Sequence, residues 1–260
     1  MYKVIYSTNG NHDYEFFAPL VAHAWRNFGW EPVVILSSDV SSVVRSKLSE
    51  QAVKCVELPD VEGCSSVTAI QTSRIYAACN EGDSYVMTSD VDMFPLSDFW
   101  PKDGKLRVTG WDITGYPNPA AHVPICYVQA TSDKWREFME PSSEDWVASM
   151  VDGLREIGGL NGNWEADQEL LTKRVRGYGE HLFEKVRRYC HAGIGRVCRS
   201  GWNEGVARLR VQPQIDCHVL RPGYTQWDQI SSVMKTAGIY AGWMDAYVES
   251  YCSARAEAQR

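Results

Sequence analysis

Three short apolar runs, each followed at once by a polar cluster, constrain the fold of this chain most strongly. The runs cover 4–6, 33–36 and 85–87, and helix-like segments separate them. Apolar strands without alternating polar positions are typical of a parallel sheet that is covered by helices on both faces. The sequence therefore predicts the α/β fold class, with a mostly parallel central sheet flanked by helices.

The remaining elements are predicted from hydrophobic periodicity and from capping residues. Strands are expected at 55–58 and 126–129, with a further short strand ending at 219–220, and a short polar helix is expected after 39. Further helices are expected at 14–28, 65–79, 132–139, 144–157, 165–176 and 228–255. Asp13 is the expected N-cap of the first helix, and Gly29 is its expected C-terminal stop. Segment 111–124 is rich in Gly, Pro and Asn, which predicts a long loop.

Composition excludes several classes of protein. The net charge is −7 at 260 residues, which disfavours a nucleic-acid partner. No run of 18 apolar residues predicts a membrane span, and the N-terminus does not resemble a signal peptide. The eight cysteines form no C-x-x-C pair and are expected to be reduced, which favours a cytoplasmic location. A zinc site built from Cys190, His191, Cys198, Cys217 and His218 is the alternative, but its spacing is irregular.

Polar clusters follow the predicted strands and locate a site. They occupy 7–9, 37–39 and 89–92. In open α/β sheets, ligands bind outside the carboxyl ends of the strands, where these clusters converge. This placement predicts a binding site without identifying its ligand.

Asp90 and Asp92 form the only Asp-x-Asp pair, and roughly one is expected by chance among 16 aspartates in 260 residues. The context is more informative than the pattern, because the pair leaves a buried strand and precedes the apolar run 93–96. Two carboxylates held together in this way repel each other unless a cation lies between them. The alternative is a purely structural role for the two aspartates, as a helix cap or as turn residues.

The segment 88–96 resembles the D-x-D segment of GT-A glycosyltransferases. The preceding helix, 71–78, resembles the family's helix that presents a basic residue to the nucleotide. Segment 164–168 is similar to the W-x-x-D-Q element of several GT-A families, and 216–218 lies where many members have a late metal-binding His. The run D-C-H-x-x-R-P-G from 216 resembles, more narrowly, the small glycosyltransferases of large algal DNA viruses that decorate capsid glycans.

The resemblance implies a Rossmann-like GT-A domain over 1–260. It divides into a nucleotide-binding half at about 1–110, an acceptor half at about 111–225 and a C-terminal helix at 226–260. Asp90, Asp92 and His218 are implied as ligands of Mn²⁺ or Mg²⁺. Such a cation bridges the two phosphates of the donor and offsets charge on the leaving group.

Further roles are implied one residue at a time. Thr8 and Asn9, with Asp39, are implied to contact the base and ribose. Asp90 is implied to bind either the cation or the ribose. Arg74 is implied to contact the diphosphate. Each of these has an ordinary alternative, namely a turn residue or a solvated helix Arg.

Two carboxylates are candidates for catalysis. Asp167 is implied to bind the sugar hydroxyls or to lie beneath the reacting carbon, although an acid also suits a helix N-terminus. Asp112, with Trp111 beside it, opens the Gly/Pro-rich loop and is the candidate base on the acceptor side. The Asp167-Gln168 pair favours retention of anomeric configuration.

The expected partners are a nucleotide-sugar donor, more often UDP-sugar than GDP-sugar, and a glycan or glycoprotein acceptor. The competing interpretations are a metal-dependent nucleotidyltransferase and a non-catalytic carbohydrate-binding protein that uses the many Trp and Tyr side chains. A nicotinamide enzyme is disfavoured because 7–11 is not a G-x-G-x-x-G turn.

Overall fold

A computed structural model of the protein describes residues 1–110, 122–162, 165–186 and 195–260. The strands are β1 Tyr2–Thr8, β2 Glu31–Leu36, β3 Lys54–Glu57, β4 Tyr85–Thr88, β5 Met93–Pro95, β6 Arg107–Thr109, β7 Val128–Thr131, β8 Glu184–Val186, β9 Arg196–Val197 and β10 Asp216–His218. The helices are α1 His12–Glu15, α2 Ala18–Asn27, α3 Ser42–Glu50, α4 Ser66–Ala77, α5 Ser132–Met139, α6 Trp146–Glu156, α7 Ala166–Tyr178, α8 Trp202–Leu209, α9 Trp227–Thr236 and α10 Trp243–Ala258.

The central sheet has seven strands in the order β3-β2-β1-β4-β7-β6-β8. β1 to β4 are parallel, β7 is antiparallel to both β4 and β6, and β8 is parallel to β6. Every strand of this sheet except β7 therefore runs in one direction. The predicted α/β architecture with a mostly parallel sheet is confirmed.

The first two strands contain the apolar runs 4–6 and 33–36 because each of their faces packs against a separate core. Successive side chains of a strand point to opposite faces. Val4, Tyr6 and Val34 accordingly lie in a core with α2, α9 and α10. Ile5 and Val33 lie in a second core, which α4 to α7 cover. A strand buried on both faces has no place for polar residues, which explains the runs that the sequence shows.

A smaller sheet with the order β5-β10-β9 lies beyond the carboxyl end of β4. β5 pairs antiparallel with β10, and β9 pairs parallel with β10. These strands contain only two or three residues, which is too short for hydrophobic periodicity to reveal. The sequence predicted β10 alone among them, as the strand ending at 219–220.

The predicted helix over 14–28 is wrong, because the structure has two helices there. Asn11, and not Asp13, caps α1, since its Oδ1 accepts a hydrogen bond from the Asp13 backbone N at 3.0 Å. Pro19 lies in the first turn of α2 and has no N–H to continue the ladder from α1. Gly29 follows α2 with a φ of +70°, as expected for a helix stop.

The predicted C-terminal helix over 226–260, placed at 228–255 from periodicity, is also wrong. α9 ends at Thr236, and Gly238 then has a left-handed φ of +72°. Gly242 precedes the start of α10. A left-handed glycine cannot continue an α-helix, so the chain turns between two shorter helices.

The helices predicted at 65–79, 132–139, 144–157 and 165–176 are confirmed as α4 to α7, with ends that agree within two residues. The strand predicted at 126–129 begins two residues later, as β7. In the described part of the chain, no helix is long and apolar enough to cross a lipid bilayer.

Candidate active site

A cavity of about 320 Å³ opens at the carboxyl ends of β1 and β4. Its walls come from the β1–α1 loop, α1, α4, the segment between β4 and β5, the start of α7 and the chain around β9 and β10. Seven of the predicted site residues line it: Thr8, Asn9, Arg74, Asp90, Asp92, Asp167 and His218. The convergence of the strand ends, expected from the sequence, is therefore observed.

The link between the two sheets positions the aspartate pair. The Ser89 backbone N donates to the carbonyl oxygen of Ile5 at 2.8 Å, which extends the β1–β4 pairing by one residue. The chain then turns at Asp90 and enters β5, where Met93 lies opposite His218 in the register with β10. Because Asp92 immediately precedes Met93, this register brings the Asp92 carboxylate beside the His218 ring.

Asp92 is the most crowded carboxylate of the cavity. Its Oδ2 lies 2.8 Å from Nη2 of Arg199, 3.4 Å from Nε2 of His218 and 3.7 Å from Nε of Arg221. The same Nη2 of Arg199 also contacts Nε2 of His218. The Arg221 guanidinium lies 4.5 Å from the ring centre of Tyr14, which gives it an aromatic support.

A buried ion pair holds this part of the site together. Nε of Arg196 donates to Oδ1 of Asp216 at 2.7 Å, and Nη2 of Arg196 pairs with Oδ2 of the same carboxylate. The pair joins β9 to β10. It fixes the position of Arg199, three residues after Arg196, relative to that of His218, two residues after Asp216.

Arg74 connects the other two carboxylates of the cavity. Its Nη1 donates to the carbonyl oxygen of Ser89 at 2.8 Å and pairs with Oδ1 of Asp90. Its Nη2 lies 3.0 Å from Oδ2 of Asp167. Arg74 is thus committed to the two aspartates, and the predicted contact with a diphosphate requires those bonds to be shared. The position of Asp167 in the first turn of α7 serves this pair as well as the helix.

The pKa values of these groups follow from burial and from their neighbours. Burial raises the pKa of Asp167, against the opposing effect of the Arg74 guanidinium. Burial also acts to raise the pKa of Asp92, but the hydrogen bond and charge of His218 and the charge of Arg221 outweigh it and lower that pKa. In turn, Asp92 raises the pKa of His218 to about 9 although burial opposes this.

The loop after β1 approaches the loop after β2 closely. Thr8 is buried and its Oγ1 donates to the carbonyl oxygen of Asn9 at 3.1 Å. A Cβ added at Gly10 would lie 2.4 Å from the carbonyl oxygen of Asp39 and 2.9 Å from its Oδ2. Asp39 therefore lies beside the loop that carries Thr8 and Asn9, but it is outside the cavity wall, where the sequence had predicted a contact with base or ribose.

Two groups of predicted residues have no structural test. Trp111, Asp112 and Trp164 lie outside the described residues. Cys190 and His191, which the alternative zinc site requires, also lie outside them. Across 1–110, 122–162, 165–186 and 195–260, no three His, Cys, Asp or Glu side chains are grouped closely enough to hold a metal ion.

Asp92 and His218 nevertheless suit a divalent cation. Carboxylate oxygen and imidazole nitrogen are both ligands of Mn²⁺. Two ligands about 2.1 Å from one ion lie roughly 3 Å apart when they meet at a right angle, and Asp92 Oδ2 and His218 Nε2 are 3.4 Å apart. Asp90 completes the predicted set in chemical type, but one of its oxygens is bound to Arg74. Asp92 and His218 thus offer two ligands of the kinds that Mn²⁺ accepts, and Asp90, which lines the same cavity, does not form a close group of three with them.

Tyr14, Arg199 and Arg221 also line the cavity, and none of them was predicted as a site residue. Arg221 lies in the run D-C-H-x-x-R-P-G, so a signal for it existed. Tyr14 was interpreted as part of a helix face, and only the short α1 turns it toward the cavity. Arg199 has no sequence signal, because its place depends on the β9–β10 pairing.

Comparisons with solved structures agree with the fold. The apo form of the glycosyltransferase GlyE of Streptococcus pneumoniae TIGR4 matches with a TM-score of 0.53 and 12% identity, over 95% of this chain and 64% of that chain. The galactosyltransferase LgtC, in complex with donor and acceptor sugar analogs, matches with a TM-score of 0.50 and 12% identity, over 94% of this chain and 99% of that chain.

The chain spans less than two thirds of the length of GlyE: the match to a second structure of that protein covers 65% of its chain. No protein-family model and no curated protein sequence matches the chain. At such low identity the likeness concerns the fold and not the activity. The chain therefore has the α/β GT-A fold that the solved glycosyltransferases GlyE and LgtC share.

Proposed function

We propose that the protein is a glycosyltransferase that moves a sugar from a nucleoside-diphosphate sugar, preferentially a UDP-sugar, to a glycan or glycoprotein acceptor, with Mn²⁺ or Mg²⁺ as cofactor. One observation carries the proposal: Asp90, Asp92 and His218 line a single cavity at the strand ends of a GT-A fold. Three arginines in the same cavity provide positive charge for a diphosphate, in a protein whose net charge is −7.

The residues of the cavity divide the work of binding. Asp92 and His218 would hold the cation, and Asp90 of the same cavity is the proposed third ligand. A bound divalent cation neutralises the diphosphate and so stabilises the leaving group. Arg221, supported by Tyr14, contributes further positive charge near Asp92.

The base and ribose are assigned to the part of the cavity lined by Thr8 and Asn9, within the half at about 1–110. Asp167 lines the same cavity from α7, next to Gln168. There it can accept hydrogen bonds from sugar hydroxyls, since burial keeps this carboxylate away from competing water. The acceptor half, about 111–225, contains Asp112 as the candidate base.

Two finer parts of the proposal depend on sequence resemblance alone. The run at 216–223 supports a role in capsid glycosylation by a large algal DNA virus. The Asp167-Gln168 pair supports retention of configuration. The anomeric configuration of the product, followed by NMR during the reaction, decides the second.

The experiment is a calorimetric titration of UDP and of GDP into the protein with Mn²⁺ and then with EDTA. We expect UDP to bind in the presence of Mn²⁺ and EDTA to abolish the binding. Asp92→Asn removes a cation ligand with little change in shape, and should lose the binding while the protein stays folded. Asp98→Asn is the matched control, because Asp98 is exposed and lies six residues away, outside the cavity.

Each result has a definite meaning. If Asp92→Asn still binds UDP in a metal-dependent way, the assignment of the metal site is wrong. If neither nucleotide binds the folded wild type, the protein is not a nucleotide-sugar transferase, and a non-catalytic carbohydrate-binding role takes its place. Release of free sugar or transfer from a UDP-sugar panel separates a glycosyltransferase from a nucleotidyltransferase, which forms or breaks the phosphoanhydride bond instead.

A further inference from the structure

Arg199 occupies the position that a divalent cation needs. A single nitrogen of its guanidinium, Nη2, lies 2.8 Å from Oδ2 of Asp92 and also contacts Nε2 of His218. These two atoms are the ones that suit a metal ion. A guanidinium nitrogen and a divalent cation cannot both occupy the space beside these two atoms, and their charges repel at such a distance. Arg199 must therefore move when a metal binds to Asp92 and His218.

The environment of Arg199 differs from that of a structural arginine. Arg196, three residues earlier, has a side chain only 3% exposed and pairs with Asp216 through two nitrogens. The Arg199 side chain is 25% exposed and lines the cavity. Its Nε is buried and finds no hydrogen-bond partner among the described residues. A guanidinium with an unused buried N–H and an open side is free to exchange partners, since moving it leaves no other bond of its own broken.

The arginines of the cavity already match its carboxylates in number without a cation. Arg74, Arg199 and Arg221 face the three carboxylates of Asp90, Asp92 and Asp167. A divalent cation added to this set gives an excess of positive charge unless an anion arrives with it. A nucleoside diphosphate brings that anion, and the displaced Arg199 is then within the same cavity as its phosphates.

We propose that Arg199 is an internal counter-ion that competes with the metal for Asp92 and His218, and that binds the donor's diphosphate once the metal has displaced it. This inference rests on the proposed function, because it uses the same metal and donor. It assigns to Arg199 the coupling between the two ligands: metal alone binds weakly, and metal with diphosphate binds well. By linkage, the diphosphate strengthens metal binding by the same factor as the metal strengthens diphosphate binding.

The test uses Arg199→Gln, which keeps a polar side chain that can donate hydrogen bonds but removes the charge. Arg210→Gln is the matched control, because Arg210 is exposed and follows α8 in the same part of the chain. Binding of Mn²⁺ without nucleotide is measured by the electron paramagnetic resonance signal of free Mn²⁺. Binding of UDP at saturating Mn²⁺ is measured by calorimetry, and circular dichroism checks that both variants are folded.

We expect the two affinities of Arg199→Gln to change in opposite directions. Mn²⁺ alone should bind about tenfold tighter, because no charge-assisted hydrogen bond to Asp92 has to be broken first. UDP with Mn²⁺ should bind about tenfold more weakly, because a guanidinium contact with the diphosphate is lost. Arg210→Gln should match the wild type in both. General damage to the site would weaken both ligands, so it cannot produce this pair of changes.

Several results would overturn the inference. Mn²⁺ binding to Arg199→Gln that is unchanged or weaker shows that Arg199 does not compete with the metal. UDP binding to the wild type that EDTA leaves intact shows that Arg199 replaces the metal permanently. If the wild type binds UDP with Mn²⁺ and Arg199→Gln has the same affinities, the role of Arg199 is refuted while the proposed function stands. Absence of Mn²⁺ and UDP binding in both proteins refutes the proposed function and this inference with it.

Discussion

Replacing Arg74 by methionine should destabilise the protein strongly, because it leaves a buried carboxylate without its partner. The Arg74 side chain is 7% exposed and that of Asp167 is 3% exposed, with 3.0 Å between Nη2 and Oδ2. Methionine has a similar length and a high helix propensity, so α4 itself is not weakened. The change in the free energy of unfolding caused by Arg74→Met therefore measures the loss of the Arg74–Asp167 ion pair.

The magnitude follows from the burial of each partner. Breaking a buried ion pair by removal of one member costs about 3–5 kcal/mol. The second partner, Asp90, has a side chain that is 28% exposed, so its bond to Arg74 adds at most about 1 kcal/mol. For a chain of this size, the loss of about 3–6 kcal/mol in the free energy of unfolding corresponds to a decrease in Tm of roughly 6–24 °C.

Three further variants locate the effect. Asp90→Asn should lose about 1 kcal/mol, and Asp167→Asn an intermediate amount because Arg74 keeps Asp90 as a partner. The double variant Arg74→Met with Asp167→Asn should be more stable than Arg74→Met alone, since the uncompensated charge is gone. Urea unfolding followed by circular dichroism gives all four free energies.

The ordering decides whether the reasoning holds. If Arg74→Met loses no more than Asp90→Asn, then Arg74 and Asp167 are not paired in solution. If the double variant is as unstable as the sum of the two single variants, the two side chains do not interact, because independent sites add. Either result would remove the connection between α4, α7 and the aspartate pair.

Three other perturbations test the frame of the site. Gly10→Ala should cost roughly 1–3 kcal/mol and weaken UDP binding, because its Cβ would lie 2.4 Å from the backbone carbonyl oxygen of the loop after β2; calorimetry and thermal unfolding measure both. Gly153→Ala should lower Tm in spite of the gain in helix propensity, because its Cβ would lie 2.1 Å from the buried hydroxyl of Tyr76; an unchanged or higher Tm contradicts the packing of α6 on α4. Asp103→Asn should destabilise at neutral pH and much less at pH 2, since a hydrogen bond from the arginine four residues later lowers the pKa of Asp103 to about 2, and the stability it gives above its unfolded pKa is lost as pH falls through the folded value; unfolding of both proteins between pH 6 and 2 should show the difference shrinking.

The architecture of the first half could be predicted because its signals are local. A strand buried on both faces must be apolar at every position, so β1, β2 and β4 were visible as runs. Helices α5 and α6 were visible because one face of each is buried and because Thr131 and Asp145 cap their N-termini with side-chain hydrogen bonds. Where local signals conflict, prediction failed: the apolar face over 14–28 continues across the break before α2, although Pro19 interrupts the hydrogen bonds there.

The C-terminal region shows the same limit. Apolar residues from α9 and α10 enter one core, so a single periodic pattern covered both helices. Gly238 was the only strong local sign of the turn, and an isolated glycine inside a helical pattern is often tolerated. The left-handed conformation at this glycine depends on how the two helices pack, which the sequence does not state.

The site was predictable only in the part that strand ends determine. Thr8, Asn9 and Asp90 could be placed together because parallel strands end at the same edge of a sheet. Asp39 follows β2 by the same rule, but the close approach of Gly10 puts it behind the neighbouring loop and outside the cavity wall. A rule about strand ends specifies which edge a residue occupies and not which side of a loop it faces.

The partners of Asp92 depend on a pairing that no local signal predicts. β5 and β10 contain three residues each and lie more than a hundred residues apart, yet their register alone sets His218 opposite Met93. β9 then adds Arg199 through the Arg196–Asp216 pair. A shift of the register by one residue would turn each side chain of β10 to the other face, which would remove His218 from Asp92. The D-x-D pattern, which chance supplies about once in such a chain, thus gains chemical meaning only from the small second sheet.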